Sequence, residues 1–355
     1  MNIYIRSTAC ISPQHTFGAA SQTPAPIEYT GTRLTCIEPE YKNLLDPKLI
    51  RRMSRIIKMG VAAATACLQE AGEQLPDAIV TGTAYGCLED TGLFLTSLIE
   101  RNEEMLQPAT FIQSTHNTVG AQIALMLQCT RYNNTFVHRG FSFEHALLDG
   151  IMLLQEGEAA NVLVGGLDEI TDTSHALLTR FGLYRRSPVS NLDLYTGRQR
   201  GTIAGEGAAF FLLTNRPAGS ENVLLQGVTT FYKPVSDAEV ERQILAFLAA
   251  NNVNPDSIDL IITGANGDYT GDGIYRHLGS GIFKGKPLTP YKHLCGEYPT
   301  SAAFALWMAA DRIRKGARHI LIYNHYLSVH HSLFLLSAVQ TSKTPLQTPK
   351  TPQTV

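Results

Sequence analysis

The chain has 355 residues, 17% of them charged, and a formal net charge of −2. Without a basic stripe it offers nucleic acid no electrostatic footprint, and no apolar run approaches the length of a membrane span. Low charge with 44% hydrophobic residues fits a thick, multilayer core, on a length that allows two lobes.

The opening MNIYIRSTAC reads as a strand and lacks the basic-then-apolar pattern of a signal peptide. After a Pro- and Thr-rich loop, LIRRMSRIIKMGVAAATACLQEAG has apolar residues at helical spacing, with Gly72 as its stop. DAIVTGTAYG is a strand running into a glycine turn, and from LPDAIV onward strands alternate with helices, which points to a parallel-sheet α/β architecture. STHNT, with His116, is a polar turn before the helix GAQIALMLQ. NTFVHRGFSFEHALLDGIMLLQEGEAANVLVGG then reads as strand, tight turn, helix from about Phe143 to Glu156, glycine and strand. Downstream, a second helix from about Thr300 to Lys315 ends at Gly316 and feeds the strand HILIYNH.

Both of these helices are apolar nearly all round, so each must be covered on every side. Their equivalent places predict a duplicated α/β unit with the two helices sandwiched between two sheets. The halves are expected to meet around residues 215–222, giving a first half at 1–215 and a second at 216–340. The Thr/Pro/Gln-rich tail, 341–355, is too polar to pack and is predicted to be disordered. Six scattered cysteines without a C-x-x-C pair fit the reduced, buried thiols of a cytoplasmic protein.

An enzyme of this design carries its nucleophile where the turn feeds the first buried helix. Here that turn offers only His138, Arg139, Gly140, Phe141 and Ser142. Ser142 needs a base, and His145 lies one turn along the helix, but no acidic residue orients it and GFSFE lacks the second glycine of a nucleophile elbow. A helix cap is the better reading of Ser142. His325, His330 and His331 cluster near the end of the chain with no cysteine or carboxylate at ligand spacing, so no metal site is expected.

The landmarks RRMSRIIKMGVAAATACLQEAG, GTAYG, EGEAANVLVGGLDE, RQRGTIAGEGAAFFLLT and TPYKHLCGEYPTSAAFALWMAADRIRKG together resemble the β-ketoacyl-acyl-carrier-protein synthases. The resemblance runs from about Asn2 to Val339 and implies the thiolase-like fold, two similar halves in a five-layer αβαβα stack. It also implies where catalytic groups would stand: a cysteine at the N-terminus of the first buried helix, and two histidines that support decarboxylation of the malonyl unit and hold its enolate oxygen. Counting back without a gap from VLVGG, the cysteine position is Gly140. The first histidine position is Asn266, in an Asn-Gly turn that needs no catalytic explanation. The second is Glu297, with Lys292 retained beside it as the partner of a structural ion pair. A Gly-Phe-Gly-Gly loop that closes the acyl pocket in the family is replaced by NHYLSVHHSLFLL, whose Tyr326, Leu327 and Val329 read as a plug.

With Gly140, Asn266 and Glu297 at the three positions, the resemblance implies a catalytically silent subunit of chain length factor type. It would pair with an active β-ketoacyl synthase in polyketide, aryl-polyene or fatty-acid-like biosynthesis, or with itself, and would work with an acyl carrier protein and no cofactor. NNTFVH is the strand expected to pair across the two-fold axis, and STHNT is read as interface. The alternatives are an active synthase or acyltransferase using Ser142, a decarboxylase (which Asn266 and Glu297 argue against), and a binding or structural protein on the same fold.

Overall fold

A computed structural model describes residues 1–18, 25–217 and 223–339. The tail at 341–355 and most of the expected junction at 215–222 lie outside the described residues. Ten strands and six helices carry the architecture. In chain order they are β1 (Ile3–Ile11), α1 (Arg55–Ala71), β2 (Ala78–Gly82), α2 (Thr118–Leu127), β3 (Tyr132–Phe136), α3 (Ser142–Gln155), β4 (Asn161–Asp168), β5 (Gly207–Thr214), β6 (Val223–Tyr232), α4 (Asp237–Ala250), β7 (Leu260–Thr263), α5 (Gly273–Ser280), β8 (Leu288–Pro290), α6 (Ala302–Arg314), β9 (His319–Tyr326) and β10 (His330–Ala338).

The strands run in the order β8-β7-β9-β10-β6-β1-β5-β4-β2-β3. Two five-stranded sheets meet where Ile3–Ile5 of β1 pairs antiparallel with Val223–Leu225 of β6. Each sheet repeats the other: strand n of the first half occupies the place of strand n+5 in the second. In both, the second strand pairs parallel with the third and fourth, and the fifth runs antiparallel between the fourth and the first. The halves predicted from two all-apolar helices are therefore present as a duplicated unit.

The layers follow from which faces are apolar. β4 and β5 are buried along almost their whole length because helices cover both faces of their sheet. One core joins α3 and α6 to residues of both sheets, including Val164, Phe211, Ile322 and Phe334. A second core packs α1 and α2 on the outer face of the first sheet, and a third packs α4 and α5 on the second. The stack is αβαβα.

Local signals set the helix ends. Gly72, Gly157 and Gly316 each take a positive φ just beyond α1, α3 and α6, a conformation glycine adopts without a Cβ penalty. The long helix expected from Leu49 instead breaks into Pro47–Ile50 and α1, where Asp46 and Pro47 start a separate short turn. The strand expected at NNTFVH lies at Tyr132–Phe136 and forms one end of the ten-strand array. Its outer edge has no partner strand among the described residues. No helix among the described residues is long and apolar enough to cross a membrane.

Candidate functional site

The N-termini of α3 and α6 approach the same region from the two halves. From β3 the chain passes through a tight turn at Arg139–Phe141 into α3. Ser142 closes this turn: its Oγ accepts from the His138 N–H at 2.8 Å and donates to the Arg139 carbonyl at 2.9 Å. Both bonds are to main chain. The His145 ring instead meets His138, Nδ1 to Nδ1 at 3.1 Å. Ser142 and His145 are thus each engaged elsewhere.

Gly140 is buried in the turn. A Cβ built there would fall 2.7 Å from the Cβ of Tyr326 and 3.1 Å from that of His330, closer than side chains pack. The Tyr326 ring occupies the space a nucleophile would need, and its hydroxyl lies 3.2 Å from the Tyr85 hydroxyl. Tyr326 ends β9, and the hairpin to β10 turns through Leu327 and Ser328, both with positive φ. A turn of this shape normally takes Asn or Gly.

Asn266 and Glu297 come together from opposite directions. Beyond β7, Asp272 accepts from the amides of Asn266 at 3.0 Å and Gly267 at 2.8 Å, fixing the Asn-Gly turn. The buried guanidinium of Arg185 braces it by donating to the Gly267 carbonyl at 2.9 Å. Glu297 is placed by a crossing of two glycine runs. Its carbonyl accepts from Gly205 N at 3.1 Å, its amide donates to Ile203 O at 2.9 Å, and a Cβ on Gly205 would lie 2.0 Å from the Cys295 carbonyl. Only glycine fits at residue 205, which accounts for GTIAGEG and LCGEY as a matched pair.

The carboxylate of Glu297 accepts from Lys292 Nζ at 2.8 and 2.6 Å and from Asn266 Nδ2 at 2.7 Å. The ion pair is sealed, at 0% and 1% side-chain exposure. Asn266 therefore spends its amide donor on a carboxylate, and the carboxylate is neutralised by lysine. No group at either position is free to exchange a proton with a substrate or to donate to an oxyanion.

The three histidines of the last hairpin do not converge on one point. His325 donates from Nε2 to Gly271 O at 3.1 Å and accepts at Nδ1 from Ser328 N at 3.3 Å, and burial pushes it down to about 3. His331 pairs with the Tyr323 hydroxyl at 2.9 Å and is pushed down to about 4, again by burial. His330 packs edge-on against Phe141 instead. No group of three or more metal-ligating side chains occurs among the described residues. His116 stands at the surface against Gly86.

Among the buried acids not picked out from the sequence are Glu144 and Asp168. Glu144, on the first turn of α3, is fully buried; Oε1 accepts from Ser332 Oγ at 2.8 Å and Oε2 has no partner. Burial pushes it up to about 7. The available signal was a carboxylate directly after Phe143 on the first turn of a largely apolar helix. Asp168, at the end of β4, accepts from Thr83 Oγ1, Ala84 N, Thr300 Oγ1 and Thr300 N, and so ties β2 to the N-terminus of α6. Burial raises it to about 6 even so.

Residues 35–182 match the family model described as beta-ketoacyl synthase, N-terminal domain. No curated protein sequence matches the chain. Among solved structures, the ishigamide ketosynthase/chain length factor superposes with TM-score 0.78 at 16% identity, over 96% of this chain and 99% of that one. A beta-ketoacyl synthase from Burkholderia phymatum STM815 gives 0.78 at 14% identity, over 96% and 100%. A ketosynthase in complex with its chain length factor from Xenorhabdus doucetiae gives 0.74 at 15%, over 95% and 98%. The chain is ketosynthase-like: part of its first half matches the β-ketoacyl synthase N-terminal domain, and its whole fold is the thiolase-like stack of ketosynthases and chain length factors.

Proposed function

We propose that this chain is a non-catalytic, ketosynthase-like subunit of chain length factor type. It pairs with an active β-ketoacyl synthase and helps shape the product that the active subunit elongates on an acyl carrier protein. The observation that carries this reading is the state of the three positions. Tyr326 fills the space over Gly140, and Asn266 and Glu297 are consumed in a buried cluster with Lys292. The class of pathway, polyketide or aryl-polyene, follows the resemblance, as do the cytoplasmic setting and the half boundaries at 1–215 and 216–340.

The unpaired outer edge of β3 supports pairing through this strand, since an open edge offers ready hydrogen-bonding groups to a second chain. An acyltransferase using Ser142 is disfavoured by the hydroxyl's two main-chain bonds. The test is intact-mass analysis of the isolated chain after incubation with acyl- and malonyl-loaded carrier protein. No adduct and no decarboxylation are expected. An acyl adduct that vanishes in Ser142→Ala would establish the serine enzyme instead.

A further inference from the structure

A cleft of about 710 Å³ opens between the helix Leu88–Glu100 and the helix Asp172–Arg180. No residue of β3, of 114–118 or of the closed site around Gly140, Asn266 and Glu297 lines it. Its charged lining is two arginines, Arg33 and Arg55, and four carboxylates, Glu89, Glu169, Asp172 and Glu206.

These charges do not balance. Arg55 grips Glu206 through two bonds, at 2.7 and 2.6 Å, and reaches Glu38 with its third nitrogen. Arg33 is paired with Asp172. Neither Glu89 nor Glu169 has a cation within ion-pair distance among the described residues.

Glu169 is the decisive group. It follows β4 directly, so its side chain leaves on the opposite side from that of Asp168. Asp168 is met by several donors, whereas Glu169 receives one, the Glu89 amide at 3.1 Å on Oε1. That bond caps the helix Leu88–Glu100 and accounts for one oxygen. Oε2 has no hydrogen-bond partner among the described residues, although the residue is only 5% exposed. A buried carboxylate oxygen with nothing to accept from is costly. Burial pushes the carboxyl up to about 7, and the charges of Glu89 and Asp90 push it the same way. Arg55 pulls in the other direction, but its donors are spent on Glu206 and Glu38.

The rest of the lining sets the shape of the ligand. Leu93, Leu95 and Leu177 form exposed apolar walls, and Thr35, Thr96 and Thr173 supply hydroxyls. With one oxygen of Glu169 already taken, a guanidinium fork finds no bidentate partner there. A compact ammonium needs a single oxygen and gives its other donors to hydroxyls.

We propose that this cleft binds a primary alkylammonium ligand, its charged head on Glu169 with Glu89 beside it and its stem against Leu93, Leu95 and Leu177. The site draws on none of the three altered positions, so it is independent of the chain length factor reading.

The test is calorimetric titration of the full chain with hexylammonium, 1-hexanol and hexanoate at pH 8. Hexylammonium should bind about tenfold more tightly than hexanol or better, and hexanoate should not bind. Glu169→Gln keeps an acceptor for the Glu89 amide and removes the charge. It should cost about tenfold or more in hexylammonium affinity and leave hexanol unchanged. Leu177→Lys changes an exposed wall position, so the core is untouched, and its tethered ammonium should compete for Glu169 and weaken hexylammonium to a similar extent. Equal binding of hexylammonium and hexanol, no binding of hexylammonium at millimolar concentration, or undiminished binding in either variant would each overturn the assignment.

Discussion

Glu144→Gln isolates the energetics of the buried acid on α3. The wild-type carboxyl moves from an ordinary 4.5 to about 7 in the folded chain, because burial penalises its charged form. A folded-state pKa raised above the unfolded value gives stability that is complete below the unfolded pKa and is lost as pH rises through the folded one. Between pH 5 and pH 8 this single group should therefore remove about 2.5 kcal/mol of stability from the wild type. Glutamine keeps an acceptor for Ser332 but does not titrate. It also buries an amide, at a constant cost of about 1–3 kcal/mol, so the absolute stability at one pH is not the informative quantity. The other raised acids, Asp90, Asp149, Asp168, Glu169 and Asp272, are present in both proteins and cancel in the difference. Urea unfolding of both proteins at pH 5, 6, 7 and 8 gives the comparison. The gap between variant and wild type should move in the variant's favour by about 2.5 kcal/mol across the range. Parallel profiles would show that the Glu144 carboxyl is solvated or ion-paired in solution, and the reasoning would fail.

Lys292→Met or Glu297→Leu alone should destabilise the chain by about 3–5 kcal/mol by stranding a buried charge, while the double substitution should recover most of the loss in chemical denaturation. Gly140→Cys should yield no elongated product by mass spectrometry of the carrier protein; the new side chain collides with Tyr326, so a drop in stability of about 1–3 kcal/mol should accompany it. Elongation by that single variant would show that Asn266 and Glu297 had been misread. On mixing with a partner synthase, amides of Tyr132–Phe136 should gain hydrogen-exchange protection, and unchanged exchange there would remove β3 from the interface.

The duplicated architecture was legible because its physical cause is local: two helices with no polar face, each closed by a glycine, can only lie between covering layers. The positions Gly140, Asn266 and Glu297 come from counting between landmarks, and the structure places Asn266 and Glu297 side by side. What could not be read is contact across the halves. Tyr326 was read as part of a plug from the resemblance, but that it packs on Gly140 itself depends on a hairpin turn through Leu327 and Ser328 that the sequence does not announce. The brace from Arg185 to Gly267 and the link from Asp168 to Thr300 are long-range in the same way. The break at Arg51–Ser54 was missed because apolar periodicity continues across it. The histidines of the last hairpin suggested a cluster by spacing alone, but neighbours on a strand face opposite sides, so His330 and His331 lie on different surfaces.

Co-expression with an active β-ketoacyl synthase, followed by assay of carrier-bound products, tests the central claim most directly. The account predicts that the pair elongates, that the isolated chain does not, and that Ser142→Ala in this chain leaves the pair's activity intact. Elongation that survives removal of the partner's catalytic cysteine, or that proceeds with this chain alone, would contradict it.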